Sequence, residues 1–388
     1  MIAVIADDFT GAAEIGGMGL RRGLKVLIET SVTGSADAEL LVIATDTRSM
    51  TAAAARLEIE QVTRRLLALS PRYIFKKLDS VLRGNIYDEL IVQQRVSGKK
   101  RVIVVPANPH FNRIIRNGIY YINDVPLAET SFANDPEFPV KDSDVREIIG
   151  RDKPGLYAMN VDEYLYGEGM IIGNVVSEAE LISWAGKVDE DSLAAGGSGF
   201  FDALLQRDFP MRQAVSAPDS FSGKNALFIF GSAYPKETAT MNKFREAGAA
   251  IINLPDLLFN GKLTKEQLLI WSEKITGELR LKGKVALTTI FTDERIPATV
   301  IRLVTGQLVK AVFERIQIDD LFIEGGATAF QILNNLGIRQ LTPCRELDFG
   351  IIQMHAGGIF NLCITTKPGS YSWPDLIIGN KTFKLNKT

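Results

Sequence analysis

The sequence predicts an α/β protein of two α/β domains with largely parallel sheets. Short, continuous apolar runs alternate with longer amphipathic stretches, the pattern of strands buried on both faces by crossover helices. That rhythm occurs twice, on either side of a polar, Pro- and Ser-bearing tract at 207–224. The 388 residues leave room for two or three domains. Placing the boundary in the tract predicts domains at 1–215 and 216–388.

In the first half, Ile2–Ala6, 24–28 and Leu40–Ala44 read as buried strands, because each is apolar throughout rather than alternating. Residues 51–68 (TAAAARLEIEQVTRRLLA) read as a helix that starts near Thr51. Residues 73–77 and 102–105 are further strands. The stretch 107–150 is rich in Pro, Asn and Asp, and a loop of that length is expected to be functional or to hold small elements of its own. In the second half, Ala226–Phe230, 285–290 and 321–323 read as strands and 235–247, 264–281 and 327–336 as helices, with a strand-like run at 362–366.

The composition excludes several classes. Forty-four basic residues against 46 acidic ones give a net charge of -2, so there is no global attraction to nucleic acid or to an anionic membrane. Two cysteines, Cys344 and Cys363, make no disulfide framework, and a reducing compartment is the simpler reading. They and the two histidines, His110 and His355, lack zinc-finger spacing. No apolar run reaches the 18 or so residues of a membrane span, and the N-terminal run is too short for a signal-peptide core. The expected location is cytoplasmic.

Three polar segments follow predicted strands. They are Ala6-Asp7-Asp8-Phe9-Thr10-Gly11-Ala12, Ala44-Thr45-Asp46-Thr47-Arg48-Ser49, and Lys76-Lys77-Leu78-Asp79-Ser80-Val81-Leu82-Arg83-Gly84-Asn85. Ligands of open α/β sheets bind outside the carboxyl ends of strands, so these segments are expected to share one edge. One aspartate could be an ordinary helix cap, and Thr10 could cap the helix that follows. Together, Arg48, Lys77, Asp79, Ser80 and Arg83 with the two aspartates suit a polyhydroxy acid: cations for its carboxylate, carboxylates for its hydroxyls. In the second half, Gly231-Ser232, Gly325-Gly326-Ala327-Thr328 and Lys367-Pro368-Gly369-Ser370 follow strands. Glycine-opened helix starts can hold phosphate through free backbone N–H groups, although ordinary strand-to-helix turns use the same residues.

Named nucleotide motifs are absent. Gly11-x4-Gly16-Gly17 has P-loop glycine spacing, but Gly17 stands where lysine is required, and Gly167, Gly169 and Gly173 miss the GxGxxG spacing by one residue. There is no GxSxG elbow and no HExxH.

The chain resembles the four-carbon acid sugar kinase family over nearly its whole length. ADDFTGAAE at 6–14, TDTR at 45–48, KKLDSVLRGN at 76–85, VPANP at 105–109 and NGIYYINDVPLAETSFANDPEFPV at 117–140 are similar to successive family blocks, as are GGAT at 325–328 and LGI at 336–338. The resemblance implies an ATP-dependent kinase whose N-terminal domain binds the sugar acid and whose C-terminal domain binds the nucleotide, with chemistry in the cleft between them. It implies Asp8 or Asp7 as the catalytic base, and Asp8, Arg48, Lys77, Asp79 and Ser80 at substrate-binding positions; Arg83 joins that group as part of the same edge. Ser232, Gly325, Gly326, Ala327, Thr328 and Gly369 fall on or near nucleotide positions. ATP and Mg²⁺ are the implied cofactors, with Mg²⁺ bridging phosphates and taking few protein ligands. The expected partner is a small-molecule sugar acid, with a homodimer as the assembly to test; no nucleic acid and no membrane are expected.

Two segments depart from the family pattern. The family's second serine after Gly231-Ser232 is missing or displaced, and Lys367-Pro368-Gly369-Ser370-Tyr371-Ser372 carries Tyr-Ser where the family has Phe-Gly. They motivate the alternative of a non-catalytic acid-sugar and nucleotide binding protein of the same fold. An oxidoreductase acting on sugar acids is a second alternative, disfavoured by the absent GxGxxG.

Overall fold

The computed structural model describes residues 1–34, 37–135, 137–165, 167–212, 224–231, 238–259, 263–289, 296–359, 361–369 and 371–378. The chain divides into two compact units, Met1–Ala214 and Val215–Thr388.

The first unit is a parallel sheet with helices on both faces. Its elements are β1 (Ile2–Ala6), α1 (Phe9–Arg21), β2 (Val26–Glu29), β3 (Leu40–Ala44), α2 (Ala52–Ala68), β4 (Ile74–Lys77), α3 (Ile86–Ser97) and β5 (Arg101–Val105). After β5 come a three-stranded antiparallel sheet, β6 (Arg113–Arg116), β7 (Ile119–Ile122) and β8 (Val125–Pro126), and the short α4 (Val145–Gly150). The unit closes with β9 (Leu156–Met159), β10 (Gly169–Gly173), α5 (Glu178–Lys187), β11 (Ser192–Gly196) and α6 (Ser198–Asp208). The main-sheet order is β2-β3-β1-β4-β11-β5-β10-β9. Successive connections from β1 lead first toward β3 and then across to β4, so the order reverses at β1. A crevice for ligand opens at the carboxyl end of such a switch point.

The local chemistry accounts for the elements. β1 and β3 are buried at all five positions each, as a strand covered on both faces requires. Thr51 caps α2 by accepting the Ala54 N–H. Ile5, Leu41 and Ile43 pack with Ile59, Val62 and Leu66 of α2 into one core layer. On α6, Phe200 and Phe201 close on Phe75 of β4, at ring separations of 6.1 and 5.0 Å.

The second unit contains β12 (Ala226–Phe230), α7 (Thr238–Glu246), β13 (Ala250–Leu254), α8 (Lys265–Lys282), β14 (Lys284–Thr289), α9 (Ala298–Phe313), β15 (Asp320–Glu324), α10 (Gly326–Leu336), β16 (Gln340–Asp348), β17 (Ile351–Ala356), β18 (Cys363–Lys367) and α11 (Asp375–Ile378). Its strand order is β13-β14-β12-β15-β18-β17-β16. The order reverses between β12 and β15, which makes a second switch point. The core centres on Phe228, stacked on Phe322 at 4.3 Å and edge-on to Phe244 and Trp373. Thr264 and Gln267 form a reciprocal capping box at the start of α8, and Gly283 ends that helix in the left-handed region.

The structure corrects several sequence readings. Asp8, not Thr10, caps α1; the Thr10 hydroxyl donates to the Asp8 carboxylate instead. The strand expected at 24–28 runs over Val26–Glu29. β17 is antiparallel to both β16 and β18, so this sheet is mixed at one side. Residue 290, the residues that open the helix expected at 235–247, and most of the 207–224 tract lie outside the described residues. Both cysteines are free. Among the described residues, no helix is long and apolar enough to cross a membrane.

Candidate functional site

The three polar segments of the first unit meet at the carboxyl ends of β3, β1 and β4, which are neighbours in the sheet. Their centre is Arg48, on a 3-10 turn (Thr47–Ser49) directly after β3. Its Nε and Nη2 donate to the two oxygens of Asp7, both at 2.9 Å. Its Nη1 donates to Asp8 Oδ2 at 3.0 Å and lies 3.3 Å from Asp79 Oδ1. Asp79 in turn takes a two-pronged contact from Arg83, Nε and Nη2 each at 2.8 Å, and accepts the backbone N–H groups of Val81 and Arg83. Arg83 Nη1 donates to Asp135 Oδ2 at 2.7 Å. The result is a ladder of alternating charge, Asp135–Arg83–Asp79–Arg48 and then Asp7 with Asp8.

This geometry gives each residue a different capacity. Arg48 commits its forked face to Asp7, so it orients carboxylates rather than presenting an open fork to a ligand. Asp8 accepts the Gly11 N–H at 2.6 Å and the Thr10 hydroxyl at 2.9 Å as well as Arg48. Its side chain is 12% exposed against 4% for Asp7, which makes Asp8 the more accessible of the pair. Burial pushes the Asp8 carboxyl up, but Arg48, the Gly11 N–H and Lys77 outweigh it and hold the group below its ordinary value. Burial likewise opposes ionisation of Asp79, and Arg48 and Arg83 hold it well below the usual carboxylate range. Around Arg48, burial is outweighed by Asp7, Asp79 and Asp8, and the guanidinium stays charged.

Lys77, buried at the end of β4, donates to the Leu78 carbonyl at 2.8 Å and lies 3.6 Å from Glu14 Oε2. Ser80 is half-buried, and its carbonyl accepts the Tyr120 hydroxyl at 2.7 Å. Asp7, Asp8, Arg48, Lys77, Asp79, Ser80 and Arg83 therefore occupy one sheet edge. Sequence reasoning missed Glu14, Tyr120 and Asp135. Lys76, at the start of the third segment, stands apart from that edge: fully buried, it points to the opposite sheet face from Lys77 and pairs with Glu89 at 2.7 Å.

In the second unit, Gly231, Gly325 and Gly369 follow the neighbouring strands β12, β15 and β18. A Cβ on Gly231 would lie 2.3 Å from Thr328 Oγ1, so only glycine lets this turn approach the start of α10 so closely. Gly325 caps α10 with a φ of 95° and contributes no capping side chain, which leaves the first N–H groups of the helix without a side-chain acceptor from that position. Lys367, wholly buried, pairs with Glu324 at 2.9 Å and donates to the Pro368 and Tyr371 carbonyls, fixing the loop that carries Gly369. Ser232 lies outside the described residues. Among the described residues, no group of three or more His, Cys, Asp or Glu side chains is arranged to hold a metal ion.

Residues 2–204 match the family described as "Sugar-binding N-terminal domain", and the switch-point edge of the first unit lies within the matched residues. The chain is similar to the D-threonate kinase of Salmonella typhimurium (strain LT2), 32% identical over 221 residues, 52% of this chain and 52% of that protein. It spans about half the length of that relative. It is also similar to the 3-oxo-tetronate kinase of Pseudomonas fluorescens (strain Pf-5), 24% identical over 416 aligned residues that cover 97% of this chain and 95% of that protein. The chain belongs to the four-carbon acid sugar kinase family. The fold is shared with a Haemophilus influenzae protein of the DUF1537 family, with a TM-score of 0.69 at 19% identity over 96% of this chain and 97% of that one.

Proposed function

We propose that this protein is an ATP-dependent kinase that transfers the γ-phosphoryl group to a hydroxyl of a four-carbon acid sugar of the threonate, erythronate or 3-oxo-tetronate type. The observation that carries the reading is the Asp8 carboxylate. It is fixed at the β1 switch point by a helix N-cap and by Arg48, and it is the more exposed of two adjacent carboxylates. Phosphoryl transfer asks the protein for positioning and charge compensation more than for covalent chemistry. Asp8, kept ionised by its surroundings, accepts the hydrogen bond of the reacting hydroxyl and then its proton. Asp7 is held by Arg48 and orients rather than reacts. Arg48, Asp79 and Arg83 form the frame, and Lys77 supplies positive charge beside Asp8.

The nucleotide is assigned to the second switch point. The turn at Gly231 packs directly against the Thr328 side chain at the start of α10, and Gly325 opens that helix with no capping side chain, so the first N–H groups of α10 suit phosphate oxygens. When bound, ATP with Mg²⁺ supplies the phosphoryl group and neutralises its charge. Gly325, Gly326, Ala327 and Thr328 would offer backbone N–H groups there, with Gly369 on the neighbouring loop. An ATP-consumption screen against four-carbon acid sugars tests the reading. Turnover of one of them supports it; binding without turnover points to the non-catalytic alternative.

A further inference from the structure

The stretch 107–150 is fastened to the acidic edge at two points, and one of them continues into the site. Tyr120, fully buried on β7, donates its hydroxyl to the carbonyl of Ser80. Asp135, 9% exposed, uses both carboxylate oxygens: Oδ1 accepts the N–H groups of Glu137 at 3.0 Å and Phe138 at 2.7 Å, and Oδ2 accepts Arg83 Nη1 at 2.7 Å. The Arg83 guanidinium also lies over the Phe132 ring, 5.5 Å from its centroid. Every step from Asp135 to Asp8 is a direct contact between side chains that are at least four-fifths buried, through Arg83, Asp79 and Arg48. Arg83 grips Asp79 with two parallel contacts, and Arg48 Nη1 is shared between Asp79 and Asp8, so a shift of Asp79 bears directly on the group that holds Asp8.

We propose that Asp135 is a positioning residue for Asp8, acting through Arg83, Asp79 and Arg48. It rests on the acid-sugar site proposed above and adds a residue that touches neither reacting atom. The stretch that holds Asp135 thereby sets the orientation of the carboxylate that receives the hydroxyl. If Asp135 is neutralised, Arg83 loses one of its two carboxylate partners and Asp79 is free to turn toward it, away from Arg48.

The test uses Asp135→Asn in the full chain. Asparagine keeps an oxygen for the Glu137 and Phe138 N–H groups but loses the charge that holds Arg83. Two readouts need no turnover: amide hydrogen exchange in segments 8–14, 79–84 and 178–187, and the Arg48 Nε–H resonance by NMR. The expected result is exchange faster by about 10-fold or more in 8–14 and 79–84, with 178–187 unchanged, together with a moved or broadened Arg48 signal. With an active substrate, kcat should fall about 10- to 100-fold with a smaller change in KM, as small misplacements of a reacting group do. Asp135→Glu should recover part of it. If Asp135→Asn does not fold, Arg83→Lys, which keeps a cation but loses the fork, must give the same exchange pattern. An effect confined to 135–138, with segment 8–14 and the Arg48 signal at wild-type values, would overturn the proposal. Because exchange and NMR are read without turnover, absence of kinase activity in the wild type would fail the kinase reading and leave this result to stand or fall by itself.

Discussion

Removing Arg48 separates two roles for this residue. In the structure its guanidinium is the shared counter-ion of three carboxylates whose side chains are 4%, 12% and 5% exposed (Asp7, Asp8 and Asp79). At a separation near 3 Å and an effective dielectric of about 20, one such contact is on the order of 5 kcal/mol of Coulomb energy, much of it offset by the desolvation of both partners. Breaking a buried pair by removing one member typically costs about 3–5 kcal/mol, and Arg48→Met should fall in that range. For a unit of this size that corresponds to roughly 6–20 °C in Tm. The loss should depend on pH with a definite sign. In the wild type, Asp8 and Asp79 titrate below their unfolded values, so their contribution is full above the unfolded value and is lost as pH falls through the depressed one. In Arg48→Met, Lys77 and the Gly11 N–H still act on Asp8 and Arg83 on Asp79, but the Arg48 contribution is gone, so the stability these two carboxylates add above their titration range shrinks. The gap between the two proteins should therefore be widest near neutral pH and narrow toward pH 4 and below. Urea denaturation at several pH values measures it. A stability loss under about 1 kcal/mol at neutral pH, accompanied by lost sugar-acid affinity, would instead make Arg48 a ligand clamp and not the shared counter-ion.

Gly231→Ala should destabilise the second unit by about 1–3 kcal/mol and weaken nucleotide binding, because the new Cβ meets Thr328 at 2.3 Å; thermal unfolding and nucleotide titration check both effects. Lys76→Met should cost about 3–5 kcal/mol by leaving Glu89 buried without its cation, and Lys76→Met with Glu89→Met should recover most of that loss, as seen by chemical denaturation. Burial pushes the Cys344 thiol up to about 12 and the Cys363 thiol up to about 11, so neither should react with a thiol-specific reagent at pH 8 until the chain is unfolded.

The sheet edge was legible because buried parallel strands announce themselves as unbroken apolar runs, and polar residues that follow such runs lie at strand ends. The partners within the edge were not legible. Arg48 and Asp7 are 41 positions apart, and nothing local shows that the guanidinium turns to that carboxylate. Asp8 reads equally as a base or a cap, and it proves to be the cap of α1 while remaining the more exposed carboxylate of the pair. Asp135 sits in a Pro- and Asn-rich stretch where aspartates commonly serve turns, and its contact with Arg83 depends on how that stretch folds back onto the loop after β4. The β16–β17 hairpin escaped the parallel reading because register shifts around Cys344 and near Asp348 break the alternation that marks antiparallel strands.

In the proposed reaction Asp8 takes the proton of an acid-sugar hydroxyl during phosphoryl transfer. The most direct measurement is ATP-dependent phosphorylation of threonate, erythronate and 3-oxo-tetronate by the wild type and by Asp8→Asn, with substrate binding measured in parallel. The wild type is expected to turn over at least one of these acids. In Asp8→Asn, kcat should fall by roughly 10²–10⁴, with a much smaller change in binding. Near-normal kcat in Asp8→Asn alongside an inactive Asp7→Asn would move the base to Asp7 and contradict the assignment made from exposure and capping.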